Sequence, residues 1–182
     1  MILEKNFCGL VDRDKLSDYK VLYITTAADG EDDFDKSWMD VEMDSFILLG
    51  IKKENIKEYK VGDSNVNVLD YDIMYMMGGN TFYLLDMIRK YNFDKEIKEF
   101  INTGKIYVDS SAGSEILGNS IETAIGYDEN KVGMTDYTAL KIVDGLIVPH
   151  CNRKEDYVKK LKETSKEHLI FLYDGDGIIV EG

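Results

Sequence analysis

Short apolar runs alternate along the chain with longer segments in which apolar positions recur at helical spacing. The runs have the length of buried strands and end in small or polar residues. In the first part of the chain, the predicted strands are Tyr19–Ala28, Ile56–Val61, Asp72–Met77 and Lys105–Asp109. The intervening segments predict helices at Asp32 to about Leu49, Asn80 to about Tyr91, and Asp94–Asn102, the last with Gly104 in the position of a C-terminal cap.

The remainder of the chain has a less regular pattern. It predicts a helix at Ala112–Leu117 and a loop at Tyr127–Asp136 that could act as a lid. A strand or hairpin follows at Leu140–Val148, with its turn at Asp144-Gly145. The last predicted elements are a charged amphipathic helix at Glu155–Glu167 and a hairpin of Leu169–Asp174 with Gly177–Val180. This alternation predicts an α/β fold with a mostly parallel sheet, covered on both faces, and a small antiparallel element at its end. Ligands of such folds bind at the carboxyl ends of the strands.

Composition narrows the class of protein. The 182 residues, 44% of them hydrophobic, suffice for one domain with a full core, and we expect residues 1–182 to form that single domain. The apolar runs are too short to span a membrane, and residues 1–6 lack a basic region followed by an apolar signal core. We therefore expect a soluble cytoplasmic protein with no membrane partner.

Charge and cysteine content exclude further classes. The chain has 35 acidic and 22 basic side chains, and its net charge of −13 argues against nucleic-acid partners because it repels phosphate backbones. An anionic small substrate is not excluded, since a local Arg or Lys can dominate a small pocket. Cys8 and Cys151 are too few and too far apart for a metal cluster or a disulfide framework, so we expect no metal and no cofactor.

The most informative segment is residues 106–113, where an apolar run ends in two serines, an alanine and a glycine. On a tight strand-to-helix turn of an α/β enzyme, a serine projects its hydroxyl from the carboxyl edge of the sheet. The next backbone N–H can then face a developing oxyanion. Ser111 and Ala112 are the candidates for these two roles. The alternative is an ordinary β–α turn whose small polar residues cap the helix.

Two further polar residues follow predicted strands. His150 comes after Leu146–Pro149, and Asp174 comes after Leu169–Tyr173. A nucleophilic serine needs a base within hydrogen-bond reach, and the base needs a carboxylate to orient it. The alternatives are a core or turn histidine at 150 and a turn aspartate at 174. The other histidine, His168, lies at the end of a predicted charged helix, where a partial positive charge favours the helix dipole.

A second turn, at Gly78-Gly79-Asn80-Thr81, links a predicted strand to a predicted helix. Asn80 is a natural N-cap, and the glycines let the backbone approach a ligand closely. A free N–H of Gly79 could therefore complete an oxyanion hole with that of Ala112. The alternative is simply a capped helix. The phosphate-binding patterns GxxxxGK[ST] and GxGxxG are both absent.

These segments resemble the peptidase E family of serine peptidases, which holds the aspartyl dipeptidases and is related to cyanophycinase. The resemblance runs from about Tyr19 to Val180 and rests, in order, on residues 78–85 (GGNTFYLL), 108–114 (VDSSAGS), 147–150 (IVPH) and 173–175 (YDG). It implies a three-layer α/β/α sandwich of the class I glutamine amidotransferase-like type, with a mostly parallel sheet. It is also compatible with a homodimer.

Carried over residue by residue, the resemblance implies a catalytic triad. Ser111 would be the nucleophile, His150 the general base, and Asp174 the third member, a position that is glutamate in the best-known dipeptidases of the family. The implied mechanism is attack of Ser111 on the substrate carbonyl while His150 takes its proton. The implied substrate is a dipeptide or short peptide.

The resemblance implies four further site residues. Gly79 and Ala112 would supply the oxyanion N–H groups. Asn80 would contact substrate, and so would Arg153, since an arginine after the catalytic histidine helps the aspartyl dipeptidases to select an N-terminal aspartate.

The chain departs from the family pattern in two further places. Asp109 stands where the family usually has glycine, so its side chain could strain a crowded turn and would place a carboxylate near the triad. Family members usually begin with an extra strand, for which only Met1–Leu10 is available here.

The sequence therefore predicts a serine peptidase acting on dipeptides or short peptides. The alternative from another class is a family member without efficient catalysis that serves as a small-molecule binder or interaction module. Amidase or esterase activity is a further hydrolase alternative. Cys151 is not favoured as a nucleophile, because neighbouring side chains on an extended strand end point to opposite sides.

Overall fold

The computed structural model describes residues 11–32, 37–64 and 66–181. Within these ranges the strands are β1 (Val21–Ile24), β2 (Ile56–Tyr59), β3 (Ile73–Met76), β4 (Ile106–Asp109), β5 (Leu146–Val148) and β6 (Leu169–Phe171). The α-helices are α1 (Ser37–Leu49), α2 (Thr81–Tyr91), α3 (Phe93–Asn102), α4 (Ala112–Glu115) and α5 (Glu155–Thr164). Short 3₁₀ helices lie at Arg13–Asp18, Thr26–Gly30, Lys53–Asn55, Val68–Asp70, Glu122–Ala124 and Cys151–Arg153.

The strands form two parallel sheets. The larger sheet has the order β2-β1-β3-β4, and Tyr75 in its centre is in register with Tyr23 on one side and Val108 on the other. The smaller sheet pairs β5 with β6. Because all these strands are parallel, the carboxyl ends within each sheet meet at one edge.

Helices cover both faces of the larger sheet. Successive strand residues point to opposite faces, so Tyr23 and Tyr75 pack with Phe46 of α1 on one side. On the other side the core consists of strand residues and apolar residues of α2 and α3, among them Leu22, Ile24, Met74, Met76, Phe82, Leu85, Phe93, Ile97 and Phe100. This arrangement confirms the predicted three-layer α/β/α fold with a mostly parallel sheet.

The predicted elements are mostly present, with shorter strands. Asn80 caps α2 by accepting the N–H of Tyr83 at 2.9 Å, as predicted. Gly104 follows α3 with a φ of 76°, and its N–H donates to Ile101, which ends the helix as predicted. The strand predicted at Tyr19–Ala28 gives way to the 3₁₀ helix at Thr26–Gly30. Residues 127–136 form an irregular loop.

The helix predicted at Asp32–Leu49 begins at Ser37 in the described residues, with residues 31–32 forming a bend. Residues 33–36 of that prediction lie outside the described residues, as does all of Met1–Leu10. The helix predicted at Ala112–Leu117 is a single turn that ends at Glu115, and the one predicted at Glu155–Glu167 ends at Thr164.

The antiparallel elements predicted near the C-terminus are wrong. For Leu140–Val148, predicted as a strand or hairpin, the strand is present as β5, but Asp144-Gly145 turns no hairpin. Residues 177–181 form no strand. Helix α5 lies between β5 and β6 along the chain, so it returns the chain to the same end and the two strands run parallel. Local turn-forming dipeptides were misleading here, because in the described residues no strand lies on the far side of either turn to complete a hairpin.

Two structural findings bear on the class of site. None of the helices in the described part of the chain has the length and apolar character needed to cross a membrane. Across residues 11–32, 37–64 and 66–181, no three His, Cys, Asp or Glu side chains are grouped so that they could hold a metal ion.

The close approach of α4 to β3 predicts the effect of replacing Gly113. A Cβ added at Gly113 would lie 2.3 Å from the carbonyl oxygen of Met76, and a backbone carbonyl cannot swing aside as a flexible side chain can. We expect Gly113→Ala to lower the free energy of unfolding by about 3 kcal/mol, measured by urea denaturation.

Gly126→Ala is the control, because a Cβ added there meets no atom within 4 Å and only the φ of 85° disfavours it. This variant should lose about 1 kcal/mol. Equal losses in the two variants would contradict the packing argument.

Candidate active site

Ser111 lies on a sharp turn between β4 and α4, as predicted. Its φ of 49° and ψ of −113° are rare for a residue with a side chain, and such strain is typically about 1–3 kcal/mol. A strained strand-to-helix turn that exposes a serine is the geometry of a nucleophile elbow. Glycine permits it, because a Cβ at Gly78 would lie 2.9 Å from the Cβ of Ser111.

The structure brings the predicted base and acid to this serine. The Oγ of Ser111 lies 2.9 Å from Nε2 of His150, and Nδ1 of His150 lies 2.6 Å from Oδ1 of Asp174. His150 follows β5 and Asp174 follows β6, so the parallel pairing of these two strands places the side chains next to each other. With Nδ1–H directed at Asp174, the Nε2 lone pair can accept the Ser111 hydroxyl hydrogen.

Asp174 is held by Asn152, a neighbour that the sequence did not single out. Its backbone N–H donates to Oδ1 of Asn152 at 2.8 Å, and Nδ2 of Asn152 donates back to Oδ2 of Asp174 at 3.0 Å. Burial alone would raise the pKa of Asp174, but hydrogen bonds from His150, Asn152 and Arg153 lower it to about 2. Asp174 is therefore an anion at neutral pH, which suits a group that faces an imidazolium.

Arg153 contacts this same carboxylate. Its Nε donates to Oδ2 of Asp174 at 2.5 Å, while 68% of its side chain remains exposed. The structure thus places the predicted substrate-binding arginine directly against the third member of the predicted triad.

Gly79 has a backbone N–H with no protein acceptor among the described residues. In the same turn, Gly78 donates to Oγ of Ser110, Asn80 to the carbonyl of Ala27, and Thr81 to Oδ2 of Asp128. A Cβ at Gly79 would lie 2.4 Å from the carbonyl carbon of Ala27, so this backbone is fixed by close packing. Its free N–H is available for an oxyanion.

Ala112 likewise donates its N–H to no protein group in the described ranges, whereas the next two N–H groups bond to Ser110 and Ser111. Asn80 is different. Its Oδ1 caps α2, its Nδ2 donates to the carbonyl of Glu129 at 2.9 Å, and only 2% of the residue is exposed. Both ends of the Asn80 amide are thus already hydrogen-bonded to protein groups. The predicted substrate contact of Asn80 stays a prediction.

Asp109 is accommodated at the end of β4 by a hydrogen bond. Oγ of Ser114 donates to Oδ1 of Asp109 at 2.5 Å, one turn into α4. Removal from solvent raises the pKa of Asp109 to about 6, against the lowering effect of that hydrogen bond. The side chain at the usual glycine position is therefore directed to Ser114.

Glu115 is a buried acid that sequence reasoning missed. It is 3% exposed, and its two carboxyl oxygens lie 2.9 Å from the hydroxyls of Thr81 and Thr123. Thr123 also lies 3.0 Å from the carbonyl oxygen of Ile147 in β5. Glu115 therefore links the helices that follow Ser111 and Gly79, and through Thr123 it also reaches β5. A single carboxylate four residues after the serine gives no local signal of this role.

The hydroxyl of Thr123 has one hydrogen and two acceptors within reach. A proton on Glu115 resolves the conflict, because the acid can donate to Thr123 while Thr123 donates to Ile147. Burial raises the pKa of Glu115 from its ordinary 4.5 to about 7, with smaller effects of opposite sign from Lys154 and Asp128. Glu115 is thus largely neutral below pH 7.

Two other candidates have structural roles. The thiol of Cys151 is buried and donates to the carbonyl of Val148 at 3.1 Å, and burial raises its pKa. His168 lies beyond the end of α5, with Nδ1 at 3.0 Å from the carbonyl of Asp144.

Comparison with known proteins gives consistent matches. The model of peptidase family S51 matches residues 6–182. An uncharacterised peptidase of Listeria monocytogenes serovar 1/2a is 35% identical over 138 residues, which are 72% of this chain and 67% of that protein. An uncharacterised peptidase of Listeria innocua is 37% identical over 103 residues, with shares of 50% and 49%. Peptidase E of Shewanella sp. (strain ANA-3) is 38% identical over 88 residues, with shares of 48% and 36%.

The chain thus spans between about a third and two thirds of the length of these relatives. Among solved structures, a Listeria monocytogenes protein described as a candidate peptidase E has a TM-score of 0.76 and 26% identity, over 90% of this chain and 82% of that one. A peptidase from an acI-B1 Actinobacterium has a TM-score of 0.67 and 19% identity, over 94% and 75%, and shares the fold.

The raised pKa of Glu115 predicts a pH-dependent stability. Between pH 4.5 and about 7 the folded chain keeps a proton on Glu115 that the unfolded chain has lost, so stability falls as pH rises through this window. Glu115→Gln stays neutral and can still bond to both threonines. In urea denaturation it should match the parent near pH 5 and exceed it by up to roughly 3 kcal/mol at pH 8.

Glu122→Gln is the matched control, because Glu122 is an exposed acid seven residues away. It should leave the pH dependence unchanged, and Asp109 contributes equally to all three proteins. If Glu115→Gln and its parent lost stability in parallel between pH 5 and 8, the buried proton on Glu115 would be disproved.

Proposed function

The chain belongs to peptidase family S51, a family of serine peptidases, and we propose that it hydrolyses dipeptides or short peptides through Ser111, His150 and Asp174. The observation that carries the proposal is the continuous contact from the Ser111 hydroxyl through the His150 ring to the Asp174 carboxylate, at 2.9 and 2.6 Å. A serine hydroxyl is a weak nucleophile at neutral pH, and such a contact to a base activates it.

In the acylation step, Oγ of Ser111 attacks the substrate carbonyl carbon as Nε2 of His150 takes the hydroxyl proton. The carboxylate of Asp174 stabilises the imidazolium that forms. The carbonyl oxygen becomes an oxyanion, which accepts hydrogen bonds from the free N–H groups of Gly79 and Ala112. His150 then returns its proton to the departing amine as the peptide C–N bond breaks.

Deacylation repeats the same proton transfers with water. His150 takes a proton from a water molecule as the water oxygen attacks the acyl carbon. The oxyanion again accepts hydrogen bonds from the two N–H groups. When the ester bond breaks, His150 gives the proton to Oγ of Ser111, and the free acid leaves. The enzyme returns to its starting state.

Selection of an N-terminal aspartate would depend on Arg153 in this proposal. Because Arg153 already binds Asp174, a substrate carboxylate must either share the guanidinium or replace Asp174 as its partner. The exposed side chain leaves the outer N–H groups accessible for sharing. A panel of dipeptides headed by Asp-X tests this preference. The homodimer stays a prediction, and light scattering tests it.

Replacing the proposed nucleophile or base should abolish covalent labelling. We expect a fluorophosphonate to add once to the parent protein, and Ser111→Ala and His150→Ala to show no adduct by intact-mass spectrometry. Both variants should lose at least about a thousandfold in dipeptide hydrolysis, since the members of a triad act as a unit.

Ser165→Ala is the control, because among the described residues the Ser165 hydroxyl has a single hydrogen bond, accepted from the N–H of Glu167 in a turn. It should label and turn over like the parent. A folded parent protein that neither labels nor cleaves any dipeptide in the panel would favour the binding-module alternative.

Asp174→Asn isolates the role of the carboxylate. The amide removes the negative charge and can hold His150 in the wrong tautomer, so kcat should fall by about 10³–10⁴ in steady-state hydrolysis of the best dipeptide. Asp176→Asn is the matched control two residues away. Within the described part of the chain its carboxylate accepts a single hydrogen bond, from the N–H of Tyr173, and an amide oxygen can accept it instead. Equal activity of the two variants would remove Asp174 from the mechanism.

A further inference from the structure

We propose that Ser110 and Glu42 are positioning residues for the oxyanion site. Together they fix the peptide unit that carries the N–H of Gly78, which directly precedes the one that carries the N–H of Gly79. This inference rests on the proposed function, in which the N–H of Gly79 binds the oxyanion. It assigns a role to a carboxylate on α1, far from the predicted triad in sequence.

A chain of hydrogen bonds runs from the glycine turn to α1. The N–H of Gly78 donates to Oγ of Ser110 at 3.1 Å. The hydroxyl of Ser110 donates to Oε1 of Glu42 at 3.3 Å. Tyr75 completes the group, since its hydroxyl lies 2.7 Å from Oε2 of Glu42 and 3.1 Å from Oγ of Ser110.

The hydrogens and acceptors of this group match when Glu42 is ionised. A carboxylate can only accept, so the hydroxyl hydrogens of Tyr75 and Ser110 both point toward Glu42. Ser110 then presents a lone pair to the N–H of Gly78. Burial raises the pKa of Glu42, and the hydrogen bonds from Tyr75 and Ser110 oppose that rise.

The far end of this chain is immobilised by packing. Tyr75 is 3% exposed, and its ring stacks on Tyr23 with centroids 5.1 Å apart. Phe46 of α1 meets the same ring edge-on, also at 5.1 Å. The phenol oxygen therefore has one position, and Glu42, on the same helix as Phe46, is held against it.

The near end lies against the nucleophile. Gly78 is close enough to Ser111 that an added Cβ would sit 2.9 Å from the Ser111 Cβ. The peptide plane of Gly78 is followed directly by the one that carries the free N–H of Gly79. A rotation of the first plane would therefore turn the second away from the site beside Ser111.

The expected consequence is specific to the transition state. An oxyanion forms only during reaction, so a misdirected Gly79 N–H should reduce kcat while leaving substrate binding intact. Removing a whole oxyanion donor typically costs about 10²–10³ in kcat, so misdirecting one should cost less, about 10–100-fold.

The experiment compares Ser110→Ala, Glu42→Gln and their double variant by steady-state hydrolysis of the best dipeptide and by the rate of fluorophosphonate labelling at Ser111. We expect Ser110→Ala to lower kcat and the labelling rate by about 10–100-fold, with KM within about twofold of the parent. Glu42→Gln should have a smaller effect in the same direction. The double variant should be no worse than Ser110→Ala, because both act through one contact.

Tyr107→Phe is the matched control for the loss of a buried hydroxyl near this sheet edge. The Tyr107 hydroxyl is buried and has no hydrogen-bond partner in the described residues. This variant should keep kcat, KM and labelling rate within about twofold of the parent. Urea denaturation shows whether each variant is folded, and Glu42→Gln, which preserves side-chain shape, decides the test if Ser110→Ala does not fold.

Two results would overturn the inference while leaving the proposed function intact. One is a parent protein that is labelled at Ser111 together with variants that match Tyr107→Phe. The other is a rise in KM equal to the fall in kcat, which would indicate general disruption. A parent protein that is neither labelled nor active would instead reject the proposed function, and this inference with it.

Discussion

Ser111 occupies a backbone conformation that an L-residue adopts only under constraint, at φ 49° and ψ −113°. The surrounding chain supplies the constraint. The N–H of Ser110 pairs with Met76 at the end of β3, and the N–H of Gly113 returns to the carbonyl of Ser110. Gly113 lets α4 lie directly on the Met76 carbonyl. These contacts fix the turn and hold the hydroxyl of Ser111 at 2.9 Å from Nε2 of His150.

The acids near this turn have different pKa values because their surroundings differ. Asp174 receives hydrogen bonds from His150, Asn152 and Arg153, so its pKa lies near 2 and it stays charged. Asp109 is half-buried and Glu115 is buried, and desolvation raises their pKa values to about 6 and about 7. Asp174 is therefore the acid that stays charged to the lowest pH, and it lies behind His150, where an imidazolium would form.

The sequence predicted the features that depend on local pattern and strand ends. Apolar runs located the strands, and the polar residues that follow them include Ser111, His150 and Asp174, which the structure brings into contact. Their catalytic roles stay predictions. The hairpin predicted for Leu169–Asp174 with Gly177–Val180 was wrong: residues 175–177 have turn chemistry, but residues 177–181 form no strand. The Glu42–Ser110 contact joins residues 68 positions apart, and no local pattern encodes such a pair.

Two acids, the half-buried Glu42 and the buried Glu115, hold opposite ends of one turn. Glu42, on α1, reaches Gly78 through Ser110, while Glu115, on α4, binds the hydroxyl of Thr81. Between these ends the backbone N–H of Asn80 donates to the carbonyl of Ala27. The N–H of Gly79 is therefore the one backbone donor in the described turn that faces no protein acceptor. A donor fixed before substrate arrives needs no reorganisation when charge develops. The layers of the fold therefore contribute to the candidate site by fixing one peptide from both faces of the sheet.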